Sequence, residues 1–203
     1  MASRVEEFDR VILECAEREF LDKGFGEASL RTIAGKAGVS TSTIYTRYVD
    51  KEGLFRFLVE PAARAMVEYV DSSLAGFEAL PEQEQLDRRA DLSDQGLGVL
   101  VDMIYEQFDR LQLLVTCGPA NFYHDFLEKI VERDMQCMRK FLTVSHSRAY
   151  AAGEITDGFL HVVTSAFYSG VFEVVIQKMP REEGENYINQ LRRFYNSGWK
   201  DYF

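Results

Sequence analysis

Short hydroxyl side chains, a tyrosine and an arginine are concentrated in the segment 41–47. The side chains that face outward, if this segment is a helix packed on one side, are Thr41, Ser42, Thr43, Tyr45, Thr46 and Arg47. Hydroxyls reach the base edges or the phosphates of DNA without long, flexible stems, and a tyrosine can contact a thymine methyl group or a phosphate. The free amides and the dipole at the N-terminus of such a helix also attract phosphate. This combination favours contact with DNA.

Two further cations flank this segment. Arg31 lies near the start of the preceding predicted helix, where it could make the bidentate contact with guanine, the most informative single contact in the major groove. Lys51 lies at the start of the following predicted helix and is placed to hold a backbone phosphate. Together they extend the candidate DNA-contacting surface on both sides.

The spacing of capping residues predicts two short helices that carry this surface. Ser29 is a good N-cap for a helix over 30–37 that ends at Gly38, and Ser40 is an N-cap for a helix over 41–48. The turn between two steeply angled helices needs a residue that tolerates positive φ, as Gly38 does. The pattern therefore predicts a helix-turn-helix.

Small and apolar residues complete this helix-turn-helix, which spans about residues 29–48. Ala34, Ala37 and Val39 are small enough for close contact near the turn. Ile33 and Ile44, one on each helix, supply the apolar contact that holds the pair rigid. The second helix can then be presented outward.

The net charge is acidic, which by itself argues against DNA binding because the phosphate backbone repels an acidic surface. The chain of 203 residues carries 23 Lys and Arg against 33 Asp and Glu, a formal charge of −10. The charge is unevenly distributed, however, since residues 29–56 carry five basic and two acidic side chains whereas residues 1–28 carry four and eight. The basic stretch of the chain is therefore the predicted helix-turn-helix.

The segment SLRTIAGKAGVSTSTIYTRYVDKEGLF resembles the DNA-binding signature of the tetracycline-repressor (TetR) family. The resemblance covers roughly residues 5–60, including the first predicted helix. It implies an all-helical homodimer whose C-terminal domain binds an inducer. It also implies repression that ends when the ligand changes the spacing of the two DNA-reading helices.

By position, the resemblance implies two kinds of DNA contact. The implied phosphate contacts are Ser29, Thr43, Arg47 and Lys51, and the implied base-proximal residues are Arg31, Thr41, Ser42, Tyr45 and Thr46. Two positions depart from the family pattern. Arg47 lies where Tyr or His is more usual, and Val49 lies where the family often has a cation, so the grip on phosphate is expected to be redistributed. Tyr48 replaces a common Phe and is expected in the core.

The rest of the chain also predicts helices, because apolar residues recur at three- and four-residue steps between only four prolines. The fold class is all-α with about nine helices: a three-helix DNA-binding domain over 1–50 and a larger ligand-binding and dimerisation domain over 51–203. The first helix is expected to stop at Gly24, and Pro61 is expected to bend the fourth. The charged segment 81–91 reads as a solvated loop or the start of a helix. The later helices are predicted near 93–109, 110–117, 121–147, 156–178 and 182–200.

Aromatic residues in the C-terminal part are candidates for a ligand pocket. The predicted pocket residues are Tyr105, Phe108, Tyr123, Phe126, Phe167, Tyr168 and Phe172. Aromatic residues at helical spacing more often fill a core, so both interpretations remain open. The apolar character of the domain favours a hydrophobic or aromatic small-molecule inducer, and its acidity leaves a cationic one open.

The last two predicted helices are candidates for a homodimer interface. The first of them is apolar around much of its circumference and must be buried on more than one side. A two-fold four-helix interface would use Phe159, Val163, Ala166, Gly170, Val174, Leu191, Phe194 and Tyr195. The alternative is that the same face is covered within one chain.

The residue types that support enzymatic or metal chemistry are not arranged for it. His124, His146, His161, Cys117 and Cys137 lack the close spacing of a zinc site, and no G-x-S-x-G context or phosphate-cradling glycine loop is present. We therefore expect no metal, no cofactor and no enzyme activity. Two alternatives stay open: a helical small-molecule carrier or enzyme whose N-terminal helices are only structural, and a DNA-binding protein whose partner is a protein co-activator.

The cysteines and the apolar segments bear on localisation. Cys15, Cys117 and Cys137 are far apart and lie in apolar helical patterns, which indicates reduced thiols in a cytosol. The N-terminus lacks the apolar region of a signal peptide, and no run of about 18 apolar residues is available to span a bilayer. The expected location is the cytoplasm, without membrane contact.

Overall fold

A computed structural model of the chain describes residues 2–199, and it describes side chains in the ranges 9–89, 91–119 and 121–199. Over the described residues the chain forms ten α-helices and one π-helical segment, without strands, which confirms the all-α prediction. The elements are α1 (Ala2–Glu27), α2 (Leu30–Ala37), α3 (Thr41–Tyr48), α4 (Lys51–Glu78), α5 (Glu82–Glu106), α6 (Phe108–Gln112), the π-helical segment Leu113–Cys117, α7 (Ala120–Val144), α8 (Arg148–Ala151), α9 (Asp157–Ile176) and α10 (Arg181–Trp199).

The helix boundaries and the number of helices differ from the predicted ones. About nine helices are expected, whereas the described residues form ten α-helices, because the helix predicted over 121–147 ends at Val144 and the short helix α8 follows it. Gly24 adopts φ 72° and ψ 169°, so it interrupts α1 as predicted, but helical turns resume and continue to Glu27. The segment 81–91, for which the sequence allows either a solvated loop or the start of a helix, belongs to α5 from Glu82 onward. The Gln85 side chain donates hydrogen bonds to the carbonyls of Leu80 and Glu78, so it ties the start of α5 to the end of α4.

The chain divides into two compact units. The first comprises Met1–Arg64 and Gln107–Tyr123, and the second comprises Ala65–Glu106 and His124–Phe203. The predicted boundary at residue 50 lies inside the first unit, because the start of α4 packs with the N-terminal helices. The chain therefore passes between the units three times, and α4 contributes to both.

The first unit is built around apolar side chains of α1 and α4. Ile12 and Phe20 on α1 and Phe55 on α4 are fully buried, and the rings of Phe20 and Phe55 meet edge to face with centroids 5.1 Å apart. Burying a side chain of this size contributes about 2 kcal/mol through the hydrophobic effect. Gly118 lies so close to the Phe55 ring that a Cβ there would be 2.9 Å from it, so the segment after α6 is packed tightly into this core.

The second unit is centred on α7 and α9. Phe126 on α7 and Phe172 on α9 are buried, and their rings meet with centroids 5.3 Å apart. By length and composition α9 could span a membrane, yet the core helix of a globular unit passes the same test. Leu160, Val171 and Val174 of α9 are fully buried, but only 39% of its apolar window is buried within the chain. The expectation that the sequence contains no apolar segment of this length is therefore wrong for α9.

Candidate nucleic-acid interface and ligand cavity

The helix α2 begins and ends as its sequence predicts. Ser29 is extended, with φ −116° and ψ 120°, and its hydroxyl accepts a hydrogen bond from the amide of Thr32 at 3.4 Å. Gly38 takes the left-handed conformation, with φ 68° and ψ 26°, and its amide donates to the carbonyls of Ala34 and Gly35. A residue with a side chain would be strained at Gly38. This turn sets the direction of α3.

The helix α3 carries a compact cluster of hydroxyls at its N-terminus. Ser40 caps the helix by accepting from the amide of Thr43 at 3.2 Å. Its hydroxyl also lies 2.7 Å from that of Ser42 and 2.8 Å from that of Thr43. The Thr46 hydroxyl donates back to the Ser42 carbonyl at 2.9 Å. These bonds fix the hydroxyls that would meet phosphate or bases.

The inner side of α2 and α3 is apolar, and the outer side offers an aromatic ring and a cation. Ile33 and Ile44 are fully buried, as expected for residues that lock the two helices together. Tyr45 is 52% exposed, and Arg31 is also exposed. Within the described part of the chain neither side chain has a hydrogen-bond partner, so both can reach a ligand.

Arg47, a predicted phosphate contact, is held by the first helix. Its guanidinium pairs with the carboxylate of Asp9, which also accepts a hydrogen bond from the Tyr48 hydroxyl at 3.2 Å. Tyr48 is buried, as predicted, and its burial next to Asp9 raises the pKa of its hydroxyl to about 12. Arg47 is thus a cation at the end of α3 that already has an anionic partner.

Lys51 has a structural role in addition to its predicted role at phosphate. Its ammonium group donates to the carbonyls of Gly26 at 2.9 Å and Ala28 at 3.2 Å, where α1 ends. It also lies 4.8 Å from the centroid of the Phe25 ring. These contacts hold the Lys51 ammonium group in a fixed position beside the end of α3. Because the side chain is already ordered, a contact with phosphate would cost little side-chain entropy.

Val49 ends α3 in a strained conformation. It has φ 70° and ψ −55°, and the amide of Asp50 donates across it to the carbonyl of Tyr48 at 2.8 Å. A β-branched residue with positive φ is a rare outlier, and this three-residue turn is a strained form. Asp50 then caps α4 by accepting from the amide of Gly53 at 2.7 Å. The tight turn lets α4 start directly after α3.

A buried carboxylate joins α2 to α1. Glu19 is fully buried, and it accepts hydrogen bonds from Lys36 on α2 and Lys23 on α1, each at 2.8 Å. These two lysines lower the pKa of Glu19 to about 2 despite its burial. The ion triad was not predicted from the sequence, and it fixes the helix-turn-helix on its supporting helix.

The second unit contains a cavity of about 580 Å³. Its wall comes from α4, α5, α7, α9 and α10, and two of the predicted pocket residues, Phe167 and Tyr168, belong to it. The other five lie elsewhere. Phe126 and Phe172 lie in the core of the second unit, and Phe108 and Tyr123 belong to the first unit. Tyr105 lies over Gly184, and its hydroxyl donates a hydrogen bond to the carbonyl of Met179.

Sequence reasoning missed most of the cavity wall. Its further aromatic residues are Tyr69, Phe77, Phe141, Tyr195 and Trp199. The wall also contains Asp134, an acidic residue in α7. A signal for it was available, since Asp134 continues the buried stripe of Phe126, Ile130, Cys137 and Phe141 on α7, where helical spacing calls for an apolar residue.

The predicted dimer residues divide between the core and the surface of the second unit. Gly170 and Leu191 contact each other within the chain, since a Cβ on Gly170 would lie 2.9 Å from the Leu191 side chain. Val174 is fully buried, so it does not belong to an exposed face. Phe159 and Ala166 are exposed, Phe194 is 76% exposed, and Val163 and Tyr195 are partly exposed. Val162 on α9, which was not among the predicted dimer residues, is 64% exposed.

The described residues contain no group of three or more His, Cys, Asp and Glu side chains arranged to hold a metal ion. Cys15, Cys117 and Cys137 are all free. Burial raises the pKa of the Cys137 thiol to about 12, so that thiol is neutral at physiological pH.

Residues 12–58 match the family model of the bacterial regulatory proteins of the tetR family. This range contains α2, α3 and the start of α4, together with the capped turn described above. The match confirms the resemblance predicted from the sequence. A comparison with curated proteins gives no match.

Solved structures with the same fold extend this likeness over nearly the whole chain. A protein from Mesorhizobium loti assigned to the TetR family of transcriptional regulators is 21% identical, with a TM-score of 0.55 over 96% of this chain and 97% of that one. NalD from Pseudomonas aeruginosa, the secondary repressor of the MexAB-OprM multidrug efflux pump, is 16% identical, with a TM-score of 0.59 over 94% and 96%. The TetR-family regulator PfmR from Thermus thermophilus is 15% identical, with a TM-score of 0.53 over 91% and 94%. At these identities the likeness shows a shared fold.

Proposed function

Because the chain carries the N-terminal domain of the tetR family and the fold of TetR-family transcriptional regulators, we propose that it is a dimeric repressor that leaves its operator DNA when a small molecule binds. The observation that supports this most strongly is the outer surface of α3. There Tyr45 and a capped hydroxyl cluster are presented on a rigid, apolar-backed helix in the basic stretch of an acidic chain. Its site of action would be the cytoplasm, where operator DNA lies.

The proposed DNA contacts fall into two groups. Arg31, Tyr45 and the hydroxyls of Thr41, Ser42 and Thr46 would read or approach base edges in the major groove. Ser29, Thr43, Arg47 and Lys51 would hold phosphates on either side and so set the register of the helix. Each protomer of a dimer would enter one of two major grooves about one helical turn apart, so a pseudo-palindromic operator is expected.

The proposed dimer uses the exposed apolar part of α9 and α10. Phe194 and Val162 leave large apolar surfaces in water, and a second copy of the chain would cover them with the same surface by two-fold symmetry. We expect Phe194→Glu to convert a dimer into a monomer in sedimentation velocity. Leu86→Glu, which changes an exposed leucine on α5, is the matched control and should stay dimeric. A wild-type protein that is monomeric at micromolar concentration would defeat the dimer proposal.

The proposed regulation uses the cavity of the second unit. A ligand held there would favour a state in which the two α3 helices no longer match the operator spacing. By thermodynamic linkage, operator DNA would then weaken ligand binding by the same factor. NalD, which has the same fold, is a repressor of a multidrug efflux pump. It supports the repressor part of the proposal.

Binding to DNA from the region upstream of the chain's own gene tests the proposal. The experiment is a mobility-shift titration at two salt concentrations with the wild type and the double variant Arg31→Ala, Tyr45→Ala. Sequence-specific, salt-sensitive binding that the double variant loses is the expected result, because phosphate contacts release counterions and base contacts confer specificity. The double variant Arg148→Ala, Tyr150→Ala in α8 removes the same residue types from the second unit and should bind normally.

The opposite result would favour a different class of protein. If neither this DNA nor a genome-wide selection returned a specific site, the first unit would be structural. The cavity would then indicate a small-molecule carrier or an enzyme, which predicts ligand binding without DNA binding.

A further inference from the structure

Asp134 is an acidic side chain in the wall of the cavity of the second unit. It occupies a position on α7 that helical spacing assigns to the core, between the buried residues Ile130 and Cys137. Asp134 itself is half-buried and lines the cavity, so its carboxylate loses part of its hydration there and is stabilised by a group that compensates its charge. The donors and cations that the chain already places near the Asp134 carboxylate determine what a ligand would have to add.

The hydrogen bonding of Asp134 within the chain is incomplete. Burial raises the pKa of Asp134, and Tyr168, which lines the same cavity, offsets part of that rise. Arg133, the neighbouring residue, is engaged elsewhere, since it pairs with Asp71 at 2.6 Å and Glu78 at 2.7 Å. A carboxylate has about four acceptor positions, so Asp134 keeps capacity for a donor that enters the cavity.

Two arginines also reach the cavity wall, and both have partners in the chain. Arg88 lies near Glu84 at 3.7 Å and is half exposed. Arg89 lies over the ring of Phe141, with its guanidinium carbon 5.4 Å from the centroid, and its charge and that of Asp134 attract each other, so Arg89 already compensates part of the carboxylate's charge. They oppose the entry of a cation, and they would favour an anion instead. A comparison of ligands of both charges on the same apolar body therefore tests directly whether Asp134 or the arginines determine the preference.

The remainder of the wall favours an apolar body next to a positive charge. Phe167 and Tyr195 stand edge to face with centroids 5.1 Å apart, and Phe77 and Phe141 lie 5.7 Å apart. Aromatic faces attract both apolar groups and ammonium ions. The volume of about 580 Å³ fits within the range of pockets for small organic ligands, about 300–1,000 Å³.

We infer that the cavity binds an amphipathic amine, with an apolar or aromatic body between the aromatic walls and a protonated amino group on the carboxylate of Asp134. The inference rests on the proposed function in that this ligand would be the inducer. An ammonium–carboxylate hydrogen bond is stronger than a neutral one, so the charge would contribute to affinity and to selectivity.

The cavity carries its own reporter for a binding experiment. Trp199 lines the wall and is the only tryptophan of the chain, so its fluorescence reports on occupancy. The probes are phenylbutylamine, phenylbutanol and phenylbutanoate, which share one body and differ in the charge of the end group. The full-length protein is titrated with each probe, and calorimetry provides an independent Kd. We expect the amine to bind about tenfold or more tightly than the alcohol, and the alcohol more tightly than the carboxylate.

Substitution at Asp134 then assigns the preference to its charge. Asp134→Asn keeps the shape and an acceptor for Tyr168, and it should lower amine affinity about tenfold while leaving the alcohol unchanged. Asp125→Asn removes an exposed carboxylate from the same helix and is the matched control, with no expected change. Because the ranking of the three probes is measured on the wild type, the test does not depend on the variant's folding.

The outcomes separate this inference from the proposed function. Equal or tighter binding of the carboxylate, or amine binding that Asp134→Asn does not weaken, would overturn the inference while DNA binding stands. Amine binding that depends on Asp134 but does not release operator DNA would support the inference and contradict the regulatory step. Failure of all three probes to perturb Trp199 and to give heat would also count against the cavity as an amine site.

Discussion

The guanidinium of Arg47 on α3 pairs with the carboxylate of Asp9 on α1, 38 residues earlier in the chain. The pair is about one-third exposed, so solvent screens it and its contribution to stability is small, about 0–1 kcal/mol. Its effect on DNA is expected to be larger. A phosphate that approaches Arg47 must compete with a carboxylate that is already in contact, and the same carboxylate repels the phosphate.

Asp9→Asn should therefore strengthen operator binding, by about threefold to tenfold at low salt, with a smaller gain at high salt. Fluorescence anisotropy with labelled operator DNA measures it. Glu14→Gln removes another α1 carboxylate, which pairs with Arg10, and controls for net charge. If Arg47→Ala in the Asp9→Asn background did not cancel the gain, the effect would have to arise from something other than the pair.

Relief of the strain at Val49 should stabilise the first unit. Its φ of 70° suits glycine, and Val49→Gly removes about 1–3 kcal/mol of strain at the expense of about 0.5–1 kcal/mol of unfolded-state entropy. We expect a net gain of about 1 kcal/mol, measured by urea denaturation. Val39→Gly is the control, because Val39 has no positive φ, and it should be neutral or destabilising. A loss of stability in Val49→Gly would show that its side chain contributes more than its strain costs.

The sequence alone was sufficient to predict the helix-turn-helix, because the signals that define it are local. Ser29, Gly38 and Ser40 lie within a few residues of the helix ends that they determine, and the structure places α2 and α3 at the predicted bounds. Ile33 and Ile44 are buried as expected, since helical periodicity identifies the inner face of such short helices.

The cavity and the ion contacts were harder to predict because they depend on distant parts of the chain. Phe141 and Trp199 meet at one cavity only after five helices have packed, and helical spacing cannot distinguish a cavity wall from a filled core. The pairing of Asp9 with Arg47 likewise depends on how α1 lies against α3. Asp134 was missed as well, although an acidic residue within an apolar stripe is a signal that the sequence alone contains.

The Glu19 triad predicts acid sensitivity of the first unit. The pKa of Glu19 is about 2 in the folded protein against 4.5 for an ordinary glutamate, so its stabilisation is complete above pH 4.5 and is lost as the pH falls toward 2. Glu19→Gln should cost about 2 kcal/mol at neutral pH, and the difference from the wild type should shrink over that acidic window. Urea denaturation at several pH values tests this. Glu14→Gln is the control, and a pH-independent cost for Glu19→Gln would refute the ionic explanation.

Asp134 predicts the opposite dependence on pH. Burial raises its pKa to about 6 from 3.8, so the folded state is favoured by protonation below pH 3.8, and this advantage is lost as the pH rises through 6. Asp134→Asn should therefore be more stable than the wild type at neutral pH, by about 1–2 kcal/mol, with the gap closing in acid. Thermal and urea denaturation across this range measure it, with Asp125→Asn as the exposed control. If Asp134→Asn were less stable at neutral pH, Tyr168 and the nearby arginines would compensate the carboxylate fully, and a ligand amine would have little to add.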